Sequence, residues 1–316
     1  MLVISTTKLT KDIRNNLINS YPSLDFRFYE NIEKASDQLS NAEVMLTYGE
    51  DLTKEIIEKS TNLKWIMVLS AGMDEMPLNK IKERSIIVTN SRGIHKTPMA
   101  EYAISMLLQV YRNSATFIEN HQRKIFDRTV PTDEISGKTM LIVGAGAIGQ
   151  ELARIAKAFR IKTIGVSNSG KSKDYIDEMY RAKHIEKAIP EADFIVSILP
   201  STKETADFYT YDHFKLMKST AVFLNMGRGD VVSSDILIEA VKHNEIAHVV
   251  LDVFEQEPLP PEHPLWEMEQ ITMTPHISGK SPNYIPRAID IFEENLVKYL
   301  NGKSDFINFI HLERGY

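Results

Sequence analysis

Short apolar runs alternate with helix-length amphipathic segments along the whole chain. In the first ninety residues the runs lie at 2–4, 26–29, 44–47, 65–69 and 86–88. Strand-sized runs separated by helical intervals predict a parallel sheet covered by helices. The same pattern resumes at 140–143, 161–166, 194–199, 221–225, 248–253 and 271–274. Between the two sets, Thr97 before Pro98 starts an apolar-periodic helix that runs through Met106 and Val110, since proline is tolerated in a first helical turn. Ser233 or Ser234 is suited to cap a helix reaching Lys242. A last helix at 283–301 puts Ile285, Ile289, Phe292, Leu296 and Leu300 on one face, and is expected to return to the first set of strands. Residues 121–137 are charged, turn-like and without periodicity, which suggests an arm or loop between the long helix and the next strand, open to packing on another subunit. At 316 residues the chain is long for one core, and the pattern divides it into 1–96 with 284–316, and 97–283 between them.

One strand ends in a distinctive way. The run Leu141-Ile142-Val143 breaks into Gly144-Ala145-Gly146-Ala147-Ile148-Gly149, after which Ile148, Leu152, Ile155, Ala156 and Phe159 recur at helical spacing. Three glycines alone are a weak signal, but a strand before them and a helix after them are the context a dinucleotide-binding turn requires. Gly144 permits the tight turn, Gly146 lets the backbone approach a pyrophosphate, and Gly149 lets the helix pack close to the strand. The unpaired N–H groups at the helix start then face the phosphates. With the strand at 161–166 this forms the first βαβ unit of a doubly wound sheet, so a dinucleotide cofactor is expected.

Composition narrows the function classes. A net charge of −6 disfavours a general nucleic-acid binder, which needs a basic face to displace counterions. The absence of cysteine excludes thiol nucleophiles, disulfide frameworks and cysteine-based zinc sites, and fits a reducing, cytoplasmic setting. No apolar stretch approaches the roughly 18 residues of a membrane span. The first residues read as a strand rather than as a signal peptide. His95, His121, His184, His213, His243, His248 and His263 show no metal-ligand spacing and read as surface or loop residues, so no metal is expected.

Four further segments sit at predicted strand ends: Ser70-Ala71-Gly72-Met73-Asp74, Asn225-Met226-Gly227-Arg228-Gly229, Asp252-Val253-Phe254-Glu255-Gln256-Glu257-Pro258-Leu259 and Thr274-Pro275-His276-Ile277-Ser278-Gly279. With the glycine turn, they closely resemble the D-isomer-specific 2-hydroxyacid dehydrogenase family over nearly the whole chain. The resemblance implies a Rossmann dinucleotide-binding domain inserted into a flavodoxin-like substrate domain. It implies an NAD(P)-dependent oxidoreductase that interconverts a small 2-keto acid and a D-2-hydroxy acid, usually as a homodimer. In that family pattern His276 is the acid/base, Glu257 its carboxylate partner and Arg228 the substrate anchor. Gly72 and Met73 add carboxylate contacts, and Tyr48 and Tyr284 stand near the substrate. Cofactor contacts implied in the same way fall on Thr97, Gly144, Gly146, Ala147, Ile148, Pro200, Thr205, Met226, Gly227, Asp252 and Gly279. Asp252 would meet the nicotinamide amide or simply cap its loop. Trp266 resembles a family element beside the site, sometimes donated by a partner subunit, or is a core aromatic. Arg160 stands where many relatives have glycine, so some backbone strain is expected there.

The residue types suit the chemistry. An alkoxide forming at a reduced carbonyl must receive a proton, which imidazolium supplies at neutral pH, and a carboxylate beside an imidazole favours its charged form. An arginine fork holds a substrate carboxylate in a fixed orientation that a lysine point charge does not impose. NAD-dependent relatives place an acidic residue at the end of the second strand, about 18 residues past the last glycine, to bind the adenosine ribose. Here that stretch is Ser167-Asn168-Ser169-Gly170-Lys171, with no acid before Asp174. A carboxylate about 4 Å from a phosphate would cost on the order of 4 kcal/mol at an effective dielectric near 20. Its absence predicts NADP(H) over NAD(H), with Ser167, Asn168, Ser169 and Lys171 around the 2′-phosphate. A dinucleotide-sensing binding protein of the same fold, resembling the family's corepressors, is the competing reading. The lack of a long added tail argues for the enzyme. Glyoxylate, hydroxypyruvate, pyruvate and bulkier keto acids all stay open as substrates.

Overall fold

The computed structural model describes residues 1–70 and 76–312, and within it the chain forms two compact units, 1–94 with 281–316 and 95–280. Both are parallel α/β sheets. In the discontinuous unit the strands are β1 (Leu2–Ser5), β2 (Asp25–Phe28), β3 (Val44–Thr47), β4 (Trp65–Val68) and β5 (Ile87–Asn90), joined through helices α1 (Lys11–Ser20), α2 (Lys54–Lys59) and α3 (Leu78–Glu83). All pair in parallel in the order β2-β1-β3-β4-β5, which is the flavodoxin-like order. Side chains of one strand alternate between two cores. Val3, Val44, Trp65 and Met67 pack on one face, and Ile4, Met45, Ile66 and Val68 on the other. Burial on both faces explains why these strands read as continuous apolar runs.

The inserted unit opens with α4 (Lys96–Tyr111) and α5 (Ser114–Gln122), separated where Asn113 adopts φ 54°. Helix α4 starts at Lys96, so Thr97 and Pro98 lie inside its first turn and His95 is the boundary residue. His121 and Gln122, expected in the arm, end α5; residues 123–138 then form no helix or strand, and Asn113 Nδ2 and Tyr111 O tie that segment down at Pro131 O and Asp133 N. Next come β6 (Thr139–Val143), α6 (Ala147–Ala158), β7 (Lys162–Ser167), β8 (Glu178–Arg181) and β9 (Phe194–Ser197). The unit continues through α7 (Tyr211–Lys215), β10 (Val222–Asn225), α8 (Ser234–Lys242), β11 (His248–Leu251) and β12 (Ile271–Met273). The parallel order β12-β11-β10-β9-β6-β7-β8 reverses direction at β6, the strand that carries the glycine turn. That reversal is the topological switch point where open α/β sheets bind ligands beyond their carboxyl ends.

The chain returns to the discontinuous unit in α9 (Tyr284–Leu300), whose Ala288, Ile289, Phe292 and Leu296 are buried against Val3, Leu17 and Trp65. Leu300 is exposed and does not continue the predicted face. Ser233 caps α8 through its hydroxyl, and Arg160 takes φ 60° just beyond α6. The apolar pattern did not predict β8. Its sequence Glu-Met-Tyr-Arg is half-exposed at the sheet edge, so neither a buried run nor a clean alternation marks it.

Candidate active site

Because β6 to β12 are all parallel, every loop after them opens at one end of the sheet. The glycine turn there is sterically specified. Gly144 has φ 102°, and a Cβ on it would come 2.7 Å from Ile198 O, while one on Gly149 would come 2.8 Å from Gly144 O. Only hydrogen fits at either position. A Cβ on Gly146 would meet nothing within 4 Å, so its backbone is open to a ligand at the mouth of the turn. The N–H groups of Ala147 and Ile148, in the first turn of α6, have no acceptor within the helix. This geometry fits a dinucleotide pyrophosphate.

Beyond β11 and β12 a second arrangement is built around Asp252, which is completely buried. Its Oδ1 accepts from Thr274 Oγ1 at 2.6 Å and Ile277 N at 2.8 Å, and its Oδ2 accepts from Ser278 N at 2.9 Å. Thr274 Oγ1, having donated to Asp252, accepts at 2.7 Å from Tyr102, whose hydroxyl is pushed up to about 12 by burial and so keeps its proton. The carbonyl of Asp252 also accepts from His276 N at 2.8 Å, and His276 has φ 52°. A left-handed histidine costs on the order of 1 kcal/mol or more and persists only where its surroundings over-determine it. Asp252 supplies that determination. Its carboxylate has no exposed surface, and these three bonds make it a cap for the histidine loop.

His276 and Glu257 meet at the same edge. Nδ1 of His276 lies 2.8 Å from Glu257 Oε2, with the side chains 50% and 36% exposed. Glu257 Oε1 accepts from Phe254 N at 3.0 Å. Since a carboxylate only accepts, the Nδ1 proton faces Glu257 and Nε2 is left for another partner. Arg228 follows β10, the strand beside β11. It is exposed, it donates to Gly227 O at 2.8 Å, and it forms no ion pair among the described residues. The loops of these two strands are pressed together, since a Cβ on Gly229 would come 1.9 Å from the Phe254 carbonyl carbon. A Cβ on Gly227 would come 2.4 Å from the carbonyl oxygen of Leu199, next to Pro200.

The structure places the remaining expected residues unevenly. Thr205 Oγ1 donates to the Pro200 carbonyl and thereby closes its own loop. Met226 is buried with its N–H on Ser197 O, so its side chain belongs to the core. Gly279 lies against His95, where a Cβ would come 3.2 Å from the ring. Expected at the surface or in a loop, His95 is instead half-buried and feels the charge of Arg228. Burial first, and that charge second, hold its ring below the usual histidine range. Trp266 is exposed, with Nε1 on Pro260 O at 2.8 Å, and is not a core aromatic. In the other unit, burial pushes Tyr284 up to about 12, with contributions from Tyr48 and Glu50 close by. Gly72 and Met73 lie outside the described residues.

At the end of β7, Gly170 N donates to Ser167 Oγ at 3.1 Å and Lys171 N to Ser169 Oγ at 3.3 Å. The loop is thus shaped by its own serines. Among the described residues no cluster of three or more potential metal ligands occurs, and no helix is long and apolar enough to cross a membrane.

Comparison with known proteins follows the same division. Residues 104–278 match the family model described as D-isomer specific 2-hydroxyacid dehydrogenase, NAD binding domain. A glyoxylate reductase of Pyrococcus furiosus is 29% identical over 280 residues, covering 86% of this chain and 83% of that protein. The crystal structure of a D-isomer specific 2-hydroxyacid dehydrogenase family protein from Aeromonas salmonicida superposes with a TM-score of 0.85 at 29% identity, covering 98% of this chain and 99% of the other. An acyclic imino acid reductase solved with NADPH and D-Arg superposes with a TM-score of 0.78 at 26% identity, covering 98% of this chain and all of the other.

Proposed function

This chain belongs to the D-isomer specific 2-hydroxyacid dehydrogenase family of NAD(P)-dependent oxidoreductases, and we propose that it reduces a small 2-keto acid of the glyoxylate or hydroxypyruvate kind to the 2-hydroxy acid, with NADPH preferred. The observation that carries the proposal is the 2.8 Å contact of His276 Nδ1 with Glu257, which leaves Nε2 as a proton donor at the sheet end where the glycine turn opens.

A bound nicotinamide supplies the hydride. The rest is done by the protein. Arg228, an exposed fork without a carboxylate partner among the described residues, holds the substrate carboxylate bidentately and draws charge toward the carbonyl oxygen. His276 Nε2–H gives its proton to that oxygen as negative charge develops there. Glu257 keeps the opposite ring proton oriented and stabilises the imidazolium. Asp252, through its hydrogen bonds to residues 274–278, fixes the loop that presents the ring. The inserted unit takes the cofactor, with the N–H groups of Ala147 and Ile148 on the pyrophosphate. The discontinuous unit is assigned to substrate recognition through Tyr48 and Tyr284.

NADPH preference is supported by the acid-free loop at 167–171 and by the relative solved with NADPH. Phe126, 93% exposed, and the exposed Ile125 of the arm, with the exposed Phe117 and Ile118 of α5, make the face on which we place a second copy of the chain. A cytoplasmic location is proposed on the cysteine-free composition. The decisive assay is oxidation of NADPH and of NADH against a panel of 2-keto acids. Turnover with small keto acids and a higher kcat/KM for NADPH is expected. Tight NADPH binding without turnover of any panel member would replace this reading by that of a dinucleotide-sensing protein.

A further inference from the structure

We propose that Arg181 is a determinant of cofactor specificity whose guanidinium binds the 2′-phosphate of NADPH, an inference that rests on the NADPH reading above. Arg181 ends β8 and is the register partner of Ser167 at the end of β7, so the two residues stand side by side at the carboxyl edge of the sheet. The loop after Ser167 folds back onto it. Gly170 has φ 63°, and a Cβ there would come 2.7 Å from Arg181 Cγ and 3.2 Å from Arg181 N. The arginine stem is therefore packed against the 167–171 loop, beside the carboxyl end of β7.

The charges along these strands are segregated. At the amino ends Lys162 is paired with Glu178 at 2.8 Å and Glu191 at 3.0 Å, and Lys157 with Asp177. On α6, Arg154 is paired with Glu151 at 2.8 Å. Arg181 and Lys171 are both exposed, and neither meets an acid within ion-pair distance among the described residues. Ser167 Oγ accepts from Gly170 N, which leaves its hydroxyl hydrogen to donate outward. One fork, one ammonium and one hydroxyl around a single loop make the donor set that a phosphate dianion takes. Among the described residues, none of these groups must give up an ion pair to bind it.

The test uses the intact protein with adenosine 2′,5′-bisphosphate and 5′-AMP as competitive probes, alongside steady-state kinetics with both cofactors. Arg181 is exposed and meets no acid among the described residues, so Arg181→Gln removes no ion pair seen there, and thermal melting should match the wild type. The variant is expected to weaken the bisphosphate about tenfold or more, as loss of a charge-assisted pair implies, while leaving 5′-AMP and kcat at saturating NADPH nearly unchanged. Arg181→Lys should recover part of the loss. Equal weakening of both probes, or of neither, would overturn the assignment. A wild-type enzyme that favours NADH, in which Arg181→Gln still selectively loses the bisphosphate, would overturn the NADPH reading and leave the assignment of Arg181 standing.

Discussion

Beyond β11 and β12 the polar side chains are engaged with one another, whereas beyond β7 and β8 the cations Lys171 and Arg181 meet no acid among the described residues. Both regions lie at the carboxyl end of one parallel sheet, and the difference matches the role proposed for each. A proton donor must hold one orientation before the substrate arrives, and His276, proposed as that donor, is fixed by Glu257 at its ring and by Asp252 at its backbone. A phosphate ligand instead supplies the missing partner itself. Cations left unpaired on an exposed loop stay hydrated, and they are available to a charge that comes from outside.

The contrast can be broken most forcefully at His276. His276→Ala should lower kcat a hundredfold or more while NADPH binding, followed by fluorescence titration, stays close to wild type, since general acid catalysis alone contributes about that much. Full activity in this variant would remove the proton-donor assignment. Asp252→Asn tests the support behind it. An amide nitrogen in place of one oxygen would face Ser278 N or Ile277 N donor to donor, so a stability loss of about 1–3 kcal/mol is expected from urea unfolding, with a parallel fall in kcat. If kcat falls but the unfolding midpoint does not move, Asp252 acts on the reactants directly and the loop-holding role is wrong.

At the other edge, Ser167→Asp brings a carboxylate next to Lys171 and Arg181. The ratio of kcat/KM for NADPH to that for NADH should drop roughly tenfold or more, because a like charge about 4 Å from the 2′-phosphate is repulsive even where solvent screens it. An unchanged ratio would place the 2′-phosphate elsewhere. An effect of similar size, confined to stability, is expected at the amino end of β11, where His248 is held at about 4 by burial and its Nε2 meets Thr272 Oγ1 at 2.9 Å. A histidine depressed on folding is protonated more readily in the unfolded chain. The stability it contributes is therefore complete above the unfolded value near 6.5 and is lost as pH falls toward 4. Between pH 7 and pH 5 the loss should amount to about 1–2 kcal/mol, read as a shift in urea midpoint that His248→Asn reduces.

The apolar pattern made most strands legible, because strands buried on both faces leave uninterrupted Val, Ile, Leu and Met runs. It missed β8, whose polar edge sequence carries no such mark, and with it Arg181. Glu257 and His276 were legible as residue types at strand ends, although separated by 19 positions. His95 was set aside, because nothing in Ile94-His95-Lys96 signals that Gly279 and Arg228 will be its neighbours. For Asp252 the sequence left two roles open, a contact to the nicotinamide amide or a loop cap, and only the structure shows the three bonds that hold the 274–278 loop.

By itself, then, the sequence determined two doubly wound units, the glycine turn and the residue types of the reaction, since periodicity, turn chemistry and short motifs are local properties of the chain. Tertiary structure alone decided which of those groups are paired and which are left open. Hydrogen-bond geometry and burial depend on strand order, which brings the ends of β11 and β12 together at one side of the sheet and the ends of β7 and β8 together at the other.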